Sequence, residues 1–117
     1  MKTSLNLKKN EENALRSLKE ALTKEFNIRD FRLFGSKARG DDTPESDIDV
    51  MIEIDELNQN IESQIDDIIF KVNLENDTFI SAIIISKKEI EEGPISESPI
   101  YKIIRKAKKL LSFVASQ

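Results

Sequence analysis

The segment from Asp47 to Ile54 most constrains the fold of this chain, because every second position in it is apolar. In an extended chain these positions lie on one side and the remaining ones on the other. The apolar side consists of Ile48, Val50, Ile52 and Ile54, and the opposite side of Asp47, Asp49, Met51 and Glu53. The pattern predicts a strand whose apolar face packs against other elements and whose opposite face carries two aspartates.

The two aspartates allow two interpretations. Residues i and i+2 of a strand share a face and lie roughly 6.5–7 Å apart, so the carboxylates of Asp47 and Asp49 could hold divalent metal ions between them. Alternatively, they belong to the polar face of an edge strand, where acidic residues limit edge-to-edge pairing. The segment that precedes them favours the metal site.

That segment combines a short strand, predicted from Phe31 to Phe34, with the turn residues Gly35 and Ser36. Glycine adopts backbone angles closed to other residues, and such a turn directs N–H groups and the serine hydroxyl outward, where they suit phosphate oxygens. Lys37 and Arg39 add positive charge within the same few residues. Gly-Ser alone is an ordinary turn dipeptide, and the P-loop pattern is absent. The whole combination nevertheless predicts a phosphate-binding loop beside a carboxylate pair.

The composition limits the number of domains and the kinds of metal site that this chain can form. A chain of 117 residues fits a single domain, 1–117. It contains no cysteine and no histidine, which excludes disulfides, thiolate or imidazole ligands and a histidine base. A metal must therefore bind oxygen, which favours Mg²⁺ or Mn²⁺. The net charge of −4 argues against a protein that coats nucleic acid. We expect a cytoplasmic location without membrane association, since no apolar segment has the length of a membrane helix.

The rest of the chain predicts an α/β or α+β fold with three main strands and three main helices. Asn10 is expected to be the N-cap of the first helix. The last helix is expected to begin at Ser98 and Pro99 and to continue to Val114. The apolar run from Phe79 to Ile85 predicts a central strand covered on both faces. The apolar positions with helical spacing are Leu15, Leu18, Leu22, Phe26, Ile61, Ile65, Ile68, Ile69, Val72, Ile100, Ile103, Ile104, Ala107, Leu110, Leu111 and Val114.

A basic run lies within this last predicted helix, with five positive charges among the eight residues from Lys102 to Lys109. Such a run is typical of a solvated face near a helix C-terminus. The alternatives are contact with an acidic partner, an RNA acceptor or a triphosphate. No aromatic residues alternate with these charges as a stacking platform requires, so independent nucleic-acid binding is not expected.

Gly35-Ser36, ten intervening residues and Asp47-Ile48-Asp49 closely resemble the signature of the DNA polymerase β-like nucleotidyltransferase superfamily. More narrowly, the chain is similar to the minimal nucleotidyltransferases, which are often encoded beside a HEPN-domain partner. The tail from Ile83 to Leu111 is similar to the usual ending of that family. The resemblance implies the nucleotidyltransferase fold, a small mixed β-sheet with helices packed against it.

The resemblance also implies roles for individual residues. Gly35 and Ser36 would contact the β- and γ-phosphates of a nucleoside triphosphate, with Arg39 supporting the phosphates or the loop. Asp47 and Asp49 would hold the metal. The implied reaction moves a nucleoside monophosphate, which we expect to be AMP from ATP, onto an acceptor hydroxyl and releases pyrophosphate. Such transfer depends on positioning and charge neutralisation.

One departure from the superfamily pattern concerns its third carboxylate, which usually lies on the strand after the middle helix. That strand contains no acidic residue here, and Ser81 lies near the expected position. Asp77 or Glu75, just before the strand, would supply the carboxylate, or both would simply end the middle helix. Two functions remain open: an enzyme, as the antitoxin of a HEPN-type pair, and a nucleotide-binding module that acts by binding a partner protein. The acceptor would arrive with a separate protein or across a homodimer interface.

Overall fold

The computed structural model describes residues 7–35, 47–93, 97–99, 101–102 and 108–109. Helices and strands alternate along these segments. In chain order they are α1 (Lys9–Glu25), β1 (Ile28–Phe34), β2 (Ile48–Ile54), α2 (Gln59–Asn76), β3 (Ile80–Ser86), α3 (Lys87–Glu92) and β4 (Lys108–Lys109).

The strands form one mixed sheet in the order β3-β2-β1-β4. β1 and β2 are antiparallel, whereas β2 and β3 are parallel, as is usual for strands joined by a crossover helix such as α2. β4 is a two-residue strand antiparallel to β1. The mixed sheet with helices packed against it confirms the predicted fold class.

The main core lies between the sheet and the helices α1 and α2. The prediction for β2 is confirmed, because its four alternating apolar residues are buried on this face. Their partners come from both helices and the neighbouring strands, and the buried cluster consists of Ala14, Leu15, Leu18, Leu22, Phe31, Leu33, Ile48, Val50, Ile52, Ile54, Ile65, Ile69, Val72 and Ile80. Burial of this continuous apolar face is the main source of stability for the sheet. We call this side of the sheet the helix face.

The other side of the sheet, which we call the site face, carries a smaller core and a group of charges. Met51, Ile85 and Tyr101 are buried together there, with Phe34 and Ile90 packed against them. Ion pairs lie beyond this cluster. They involve three charged side chains from β1, one from β2 and one from the turn after β2. The pairs join Arg32 Nε to Asp30 Oδ2 at 2.7 Å, Arg29 Nε to Glu53 Oε2 at 3.1 Å and Arg29 Nη1 to Asp55 Oδ1 at 3.1 Å. The hydrogen bonds to Glu53 and Asp55 raise the pKa of Arg29.

Two expectations about helix ends need correction. Asn10 is not the N-cap of α1, because the N-cap is Lys8, two residues earlier. The backbone N–H of Lys8 donates to Glu11 Oε1 at 2.9 Å. The Asn10 amide instead donates to the carbonyl oxygens of Asn76 at 2.9 Å and Asp77 at 3.2 Å. This side chain therefore ties the start of α1 to the end of α2.

The prediction of a last helix continuing to Val114 is wrong at Lys108 and Lys109, which form β4 and pair with Leu33 and Arg32. Strand pairing there satisfies backbone groups at the outer edge of β1. The expected start is supported, since the Lys102 N–H donates to the Ser98 carbonyl at 3.1 Å. The rest of the predicted helix, at residues 100, 103–107 and 110–114, lies outside the described residues.

The prediction of a central third strand is also wrong. Among the described strands, β3 occupies one edge of the sheet and pairs with β2 alone. Consequently Phe79 is 71% exposed and Ile83 36% exposed. Directly after β3 the chain forms α3, which was not predicted, with a capping box between Ser86 and Glu89.

Candidate functional site

The candidate site lies where β1 ends and β2 begins. In the register of this antiparallel pair, Phe34 at the end of β1 is opposite Asp49 in β2. Gly35 follows directly, with φ of +78°, in the left-handed region that side chains other than glycine rarely adopt. The turn that the sequence predicts at this point therefore begins with the backbone conformation that requires glycine.

Gly35 also lies against the carboxylate of Asp49. A Cβ atom at Gly35 would overlap Asp49 Oδ2 and lie 3.2 Å from Asp49 Cγ. Two independent constraints, the positive φ and the close approach, thus require glycine here. The structure brings together a residue predicted to bind phosphate and a residue predicted to bind metal, although 14 positions separate them in the chain (49 minus 35).

Asp47 and Asp49 lie at the start of β2, on either side of its first residue, Ile48. Asp47 is exposed just before the strand, and Asp49 is half-buried within it. Because side chains alternate along a strand and Ile48 packs on the helix face, both carboxylates belong to the site face. The Ile48 N–H donates to the Phe79 carbonyl at 2.9 Å and so aligns this end of β2 with the start of β3. Paired carboxylate oxygens on one face, next to a glycine that leaves room, fit a hard ion such as Mg²⁺ or Mn²⁺.

The position opposite Asp49 on β3 is Ser81, which is exposed. Asp77 lies elsewhere: it is the C-cap of α2, with φ of 56° and ψ of 50°, and its side chain is exposed. Its carbonyl accepts a hydrogen bond from Asn10 of α1, so its backbone is held at the helix face of the sheet, away from the site face. Within the described ranges, no three acidic side chains lie close enough together to hold a metal ion.

The predicted site residues are therefore only partly assembled by the described structure. Gly35 contacts Asp49, and Asp47 shares its face, whereas Asp77 does not join them. Ser36, Lys37 and Arg39 lie outside the described residues, so their contacts with phosphate remain predictions. The catalytic role of Asp77 also remains a prediction.

Sequence reasoning missed Asn73, which aligns the β3 side of the site. Its Oδ1 accepts hydrogen bonds from the Ile80 N–H at 2.8 Å and the Thr78 hydroxyl at 3.0 Å, and its Nδ2 donates to the Ile80 carbonyl at 3.3 Å. The side-chain amide thus pairs with Ile80 as a neighbouring strand would. A lone asparagine in an amphipathic helix carries no sequence signal for this role.

An open groove of about 710 Å³ lies between α1 and α2 and is separate from these residues. Its lining includes Glu20, Lys24, Asp67 and Lys71, together with Glu75, the alternative to Asp77 for the third carboxylate. Glu75 lies within α2 and faces this groove, away from the Gly35 and Asp49 contact. In the part of the chain that the structure describes, no helix combines the length and the apolar character needed to cross a membrane.

Comparison with known proteins identifies the family. A segment of 44 residues is 50% identical to the Methanocaldococcus jannaschii protein named "Putative protein adenylyltransferase MJ1379". The matched segment covers 38% of this chain and 44% of that protein, less than half of its length. Residues 15–111 match the nucleotidyltransferase domain family, a range that begins in α1 and includes the whole sheet. The chain therefore belongs to the nucleotidyltransferase domain family.

Proposed function

We propose that this protein transfers AMP from ATP to a hydroxyl group, with Mg²⁺ or Mn²⁺ bound by Asp47 and Asp49. The observation that carries the proposal is the contact between Gly35 and the Asp49 carboxylate, because it joins the turn proposed to bind phosphate to the carboxylates proposed to bind metal. Membership of the nucleotidyltransferase domain family supports the type of reaction.

Each group would have a simple task. Gly35 and Ser36 would direct their donors at the β- and γ-phosphates, and Arg39 with Lys37 would add positive charge. Asp47 and Asp49 would hold the metal, which would neutralise phosphate charge, favour the alkoxide form of the acceptor hydroxyl and stabilise the departing pyrophosphate. The acceptor oxygen forms a bond to the α-phosphorus as the bond from that phosphorus to the bridging oxygen breaks.

The acceptor's proton must pass to a base, and Asp77 is the candidate from the sequence. Its C-cap position means that the backbone at the end of α2 would have to rearrange, or that the acceptor would have to approach across the start of β3. Otherwise the acceptor or its carrier would supply the base.

The acceptor that we propose is a hydroxyl of a protein. The name of the Methanocaldococcus relative, which refers to protein adenylyltransfer, supports this choice. The resemblance to minimal nucleotidyltransferases leads us to propose a HEPN-domain protein as the partner, with this chain as the antitoxin of the pair. A folded acceptor protein would supply its own recognition surface.

A second candidate function is a nucleotide-binding module that acts by binding its partner without transfer. The observation that favours it is the serine at position 81, because Ser81 faces Asp49 across the β2–β3 register where a third carboxylate would be nearest. In this alternative Asp47, Asp49 and the Gly35 turn keep the nucleotide site, and no residue accepts the proton.

The test uses ATP labelled at its α-phosphate and a co-expressed partner protein. Binding is measured by calorimetry with Mg²⁺ and with EDTA, and transfer by label on the partner. We expect the Asp47→Asn, Asp49→Asn double variant to lose the metal-dependent part of binding and all transfer. The matched control is the Asp66→Asn, Asp67→Asn variant, which removes two exposed carboxylates from α2 and should behave as wild type.

The outcomes separate the two functions. Metal-dependent binding with label on the partner supports the transferase, whereas metal-dependent binding without label on any acceptor supports the binding module. If wild type and the double variant bind ATP equally well in the presence of Mg²⁺, Asp47 and Asp49 do not bind the metal. That result would refute both the transferase and the binding-module functions as proposed.

A further inference from the structure

The outer edge of β3 has backbone groups that no described element pairs with. β3 is the last strand of the sheet on this side. Because Ile48 donates to the Phe79 carbonyl and backbone groups alternate in direction along a strand, the odd-numbered residues of β3 face β2. The even-numbered residues, Ile80, Ala82, Ile84 and Ser86, therefore direct their N–H and C=O groups outward.

This edge is closed at both of its ends by side chains. At Ile80, the Asn73 amide bonds both the N–H and the C=O group. At Ser86, the N–H donates to Glu89 Oε1 at 2.9 Å within the capping box of α3. Only Ala82 and Ile84, in the middle, present both N–H and C=O groups outward without a partner among the described residues. The open part of the edge is thus short and has defined limits.

We propose that two copies of this chain pair through this open edge, with β3 antiparallel to β3 and the two-fold axis at Ile83. In this register Ala82 of one copy is opposite Ile84 of the other and exchanges both hydrogen bonds with it. The two-fold axis generates the same pair of hydrogen bonds between Ile84 of the first copy and Ala82 of the second. Every outward N–H and C=O group of Ala82 and Ile84 is then hydrogen-bonded. The pairing ends at Ala82 and Ile84, because the Asn73 amide already occupies the position beside Ile80 and the two strands must diverge there.

The side chains around this edge support a second copy as the occupant. The strand from Ile80 to Ser86 contains no charged residue, proline or glycine, the residues that usually protect an edge from pairing. Ile83, 36% exposed, would pack against Ile83 of the other copy in the close, non-hydrogen-bonded type of pair. An uncharged isoleucine pair at a two-fold axis is favourable, whereas a charge there would face an identical charge.

Exposed apolar area flanks the same edge. Phe70 and Leu74 lie next to Asn73 on α2 and are 65% and 69% exposed, and Phe79 precedes β3. With about 200 Å² for a phenylalanine side chain, the two phenylalanines expose roughly 270 Å². That is about a third of the ~800 Å² per partner that a standard interface buries. The strand edge and its neighbouring side chains would contribute the rest.

The resulting sheet would be continuous across both copies, with the site faces on the same side. Two β2 strands would then be separated by two β3 strands, roughly 14 Å across three strand spacings. Because Asp49 is level with Ser81, two residues from the axis, the two Asp49 residues would also be offset along the strands by roughly 13 Å, which places them about 20 Å apart. The two candidate sites would open side by side toward a common acceptor surface. The pairing itself does not rest on the proposed nucleotidyl transfer.

The first test is the mass of the protein in solution, measured by sedimentation equilibrium. We expect wild type to approach twice 13.4 kDa as its concentration rises. Ile83→Lys should return the mass to that of one chain, because two ammonium groups would meet at the axis. The matched control Ile83→Thr, which keeps a β-branched residue without charge, should retain the pair. A wild type that stays at 13.4 kDa, or an Ile83→Lys variant that stays paired, overturns the proposal.

The second test remains informative if Ile83→Lys fails to fold. Amide hydrogen exchange of wild type is measured at high and low protein concentration. The N–H groups of Ala82 and Ile84 should be protected at high concentration and lose that protection on dilution. The N–H of Ile80 should not change, since Asn73 binds it within one chain. Exchange at Ala82 and Ile84 that is independent of concentration overturns the proposed register.

Discussion

Replacing Gly35 by alanine tests the contact on which the candidate site depends. The backbone φ of +78° at this position is left-handed, and an L-residue in that region costs about 1–2 kcal/mol. The new Cβ would in addition overlap Asp49 Oδ2. The substitution therefore combines a conformational cost with a steric cost, and the two can be measured separately.

The steric cost depends on Asp49, whereas the conformational cost does not. For residues in contact, a coupling free energy of about 0.5–3 kcal/mol is typical. Gly35→Ala should therefore lower the free energy of unfolding by roughly 2–4 kcal/mol when Asp49 is present and by about 1–2 kcal/mol in an Asp49→Ala background. A domain that is stable by about 5–15 kcal/mol remains folded after either loss.

The assay is urea unfolding of wild type, both single variants and the double variant, from which the coupling is calculated. Gly93→Ala provides a control cycle with Asp49→Ala, because a Cβ at Gly93 would meet the Glu89 carbonyl at 2.9 Å and not the site. Distant substitutions should be additive within about 0.5 kcal/mol. In the same samples, Gly35→Ala should weaken metal-dependent ATP binding because it displaces the carboxylate.

Two results would refute this reasoning. If Gly35→Ala costs the same with and without Asp49, the carboxylate does not lie against the glycine, and the two predicted halves of the site are not joined. If the substitution costs nothing in either background, the backbone at Gly35 is not left-handed and the turn does not require glycine.

Three further predictions address other parts of the molecule. Asp30→Ala removes the 2.7 Å partner of Arg32, and since both side chains are 9% exposed we expect a loss of about 3 kcal/mol in urea unfolding. Asn73→Ala removes the bonds to Ile80, which should cost about 1–3 kcal/mol and speed amide exchange at Ile80; unchanged exchange there would contradict the anchoring role. Ser36→Ala should weaken calorimetric binding of ATP more than that of adenosine, and an equal effect on both would show that the loop supports the fold instead of phosphate.

Local patterns were sufficient to predict the strand that carries the aspartates. The alternation from Ile48 to Ile54 determines which side chains face the core, because a period of two leaves no other arrangement once one face is buried. The turn at Gly35 followed from residue type, and the antiparallel return of the chain places it beside Asp49. Both features depend on residues close in sequence or directly paired.

Features that depend on long-range order were not predicted correctly. The apolar run of β3 suggested a central strand, but sheet order decides how many neighbours a strand has, and periodicity does not contain that information. Asn10 has the residue type of an N-cap, yet its amide binds carbonyls more than sixty positions away, at Asn76 and Asp77. Likewise, Lys108 and Lys109 fit a helical pattern but pair with β1, because tertiary pairing overrides local propensity.

The two halves of the candidate site are positioned by different forces, and this difference bears on its chemistry. The Gly35 side depends on steric contact between a glycine and the Asp49 carboxylate, so any added atom displaces a proposed metal ligand. The β3 side depends on the two hydrogen bonds between the Asn73 amide and the backbone of Ile80, which align Ile80 and hence Ser81 opposite Asp49. The Ser81 hydroxyl adds no negative charge beside Asp49, whereas an acidic residue at this position would add a carboxylate. In the proposed mechanism, nucleotide and metal binding would depend chiefly on the Gly35 side, and removal of the acceptor proton would depend on what reaches the β3 side. Substitutions on the Gly35 side should therefore reduce nucleotide binding. Substitutions on the β3 side should reduce transfer and leave nucleotide binding unchanged.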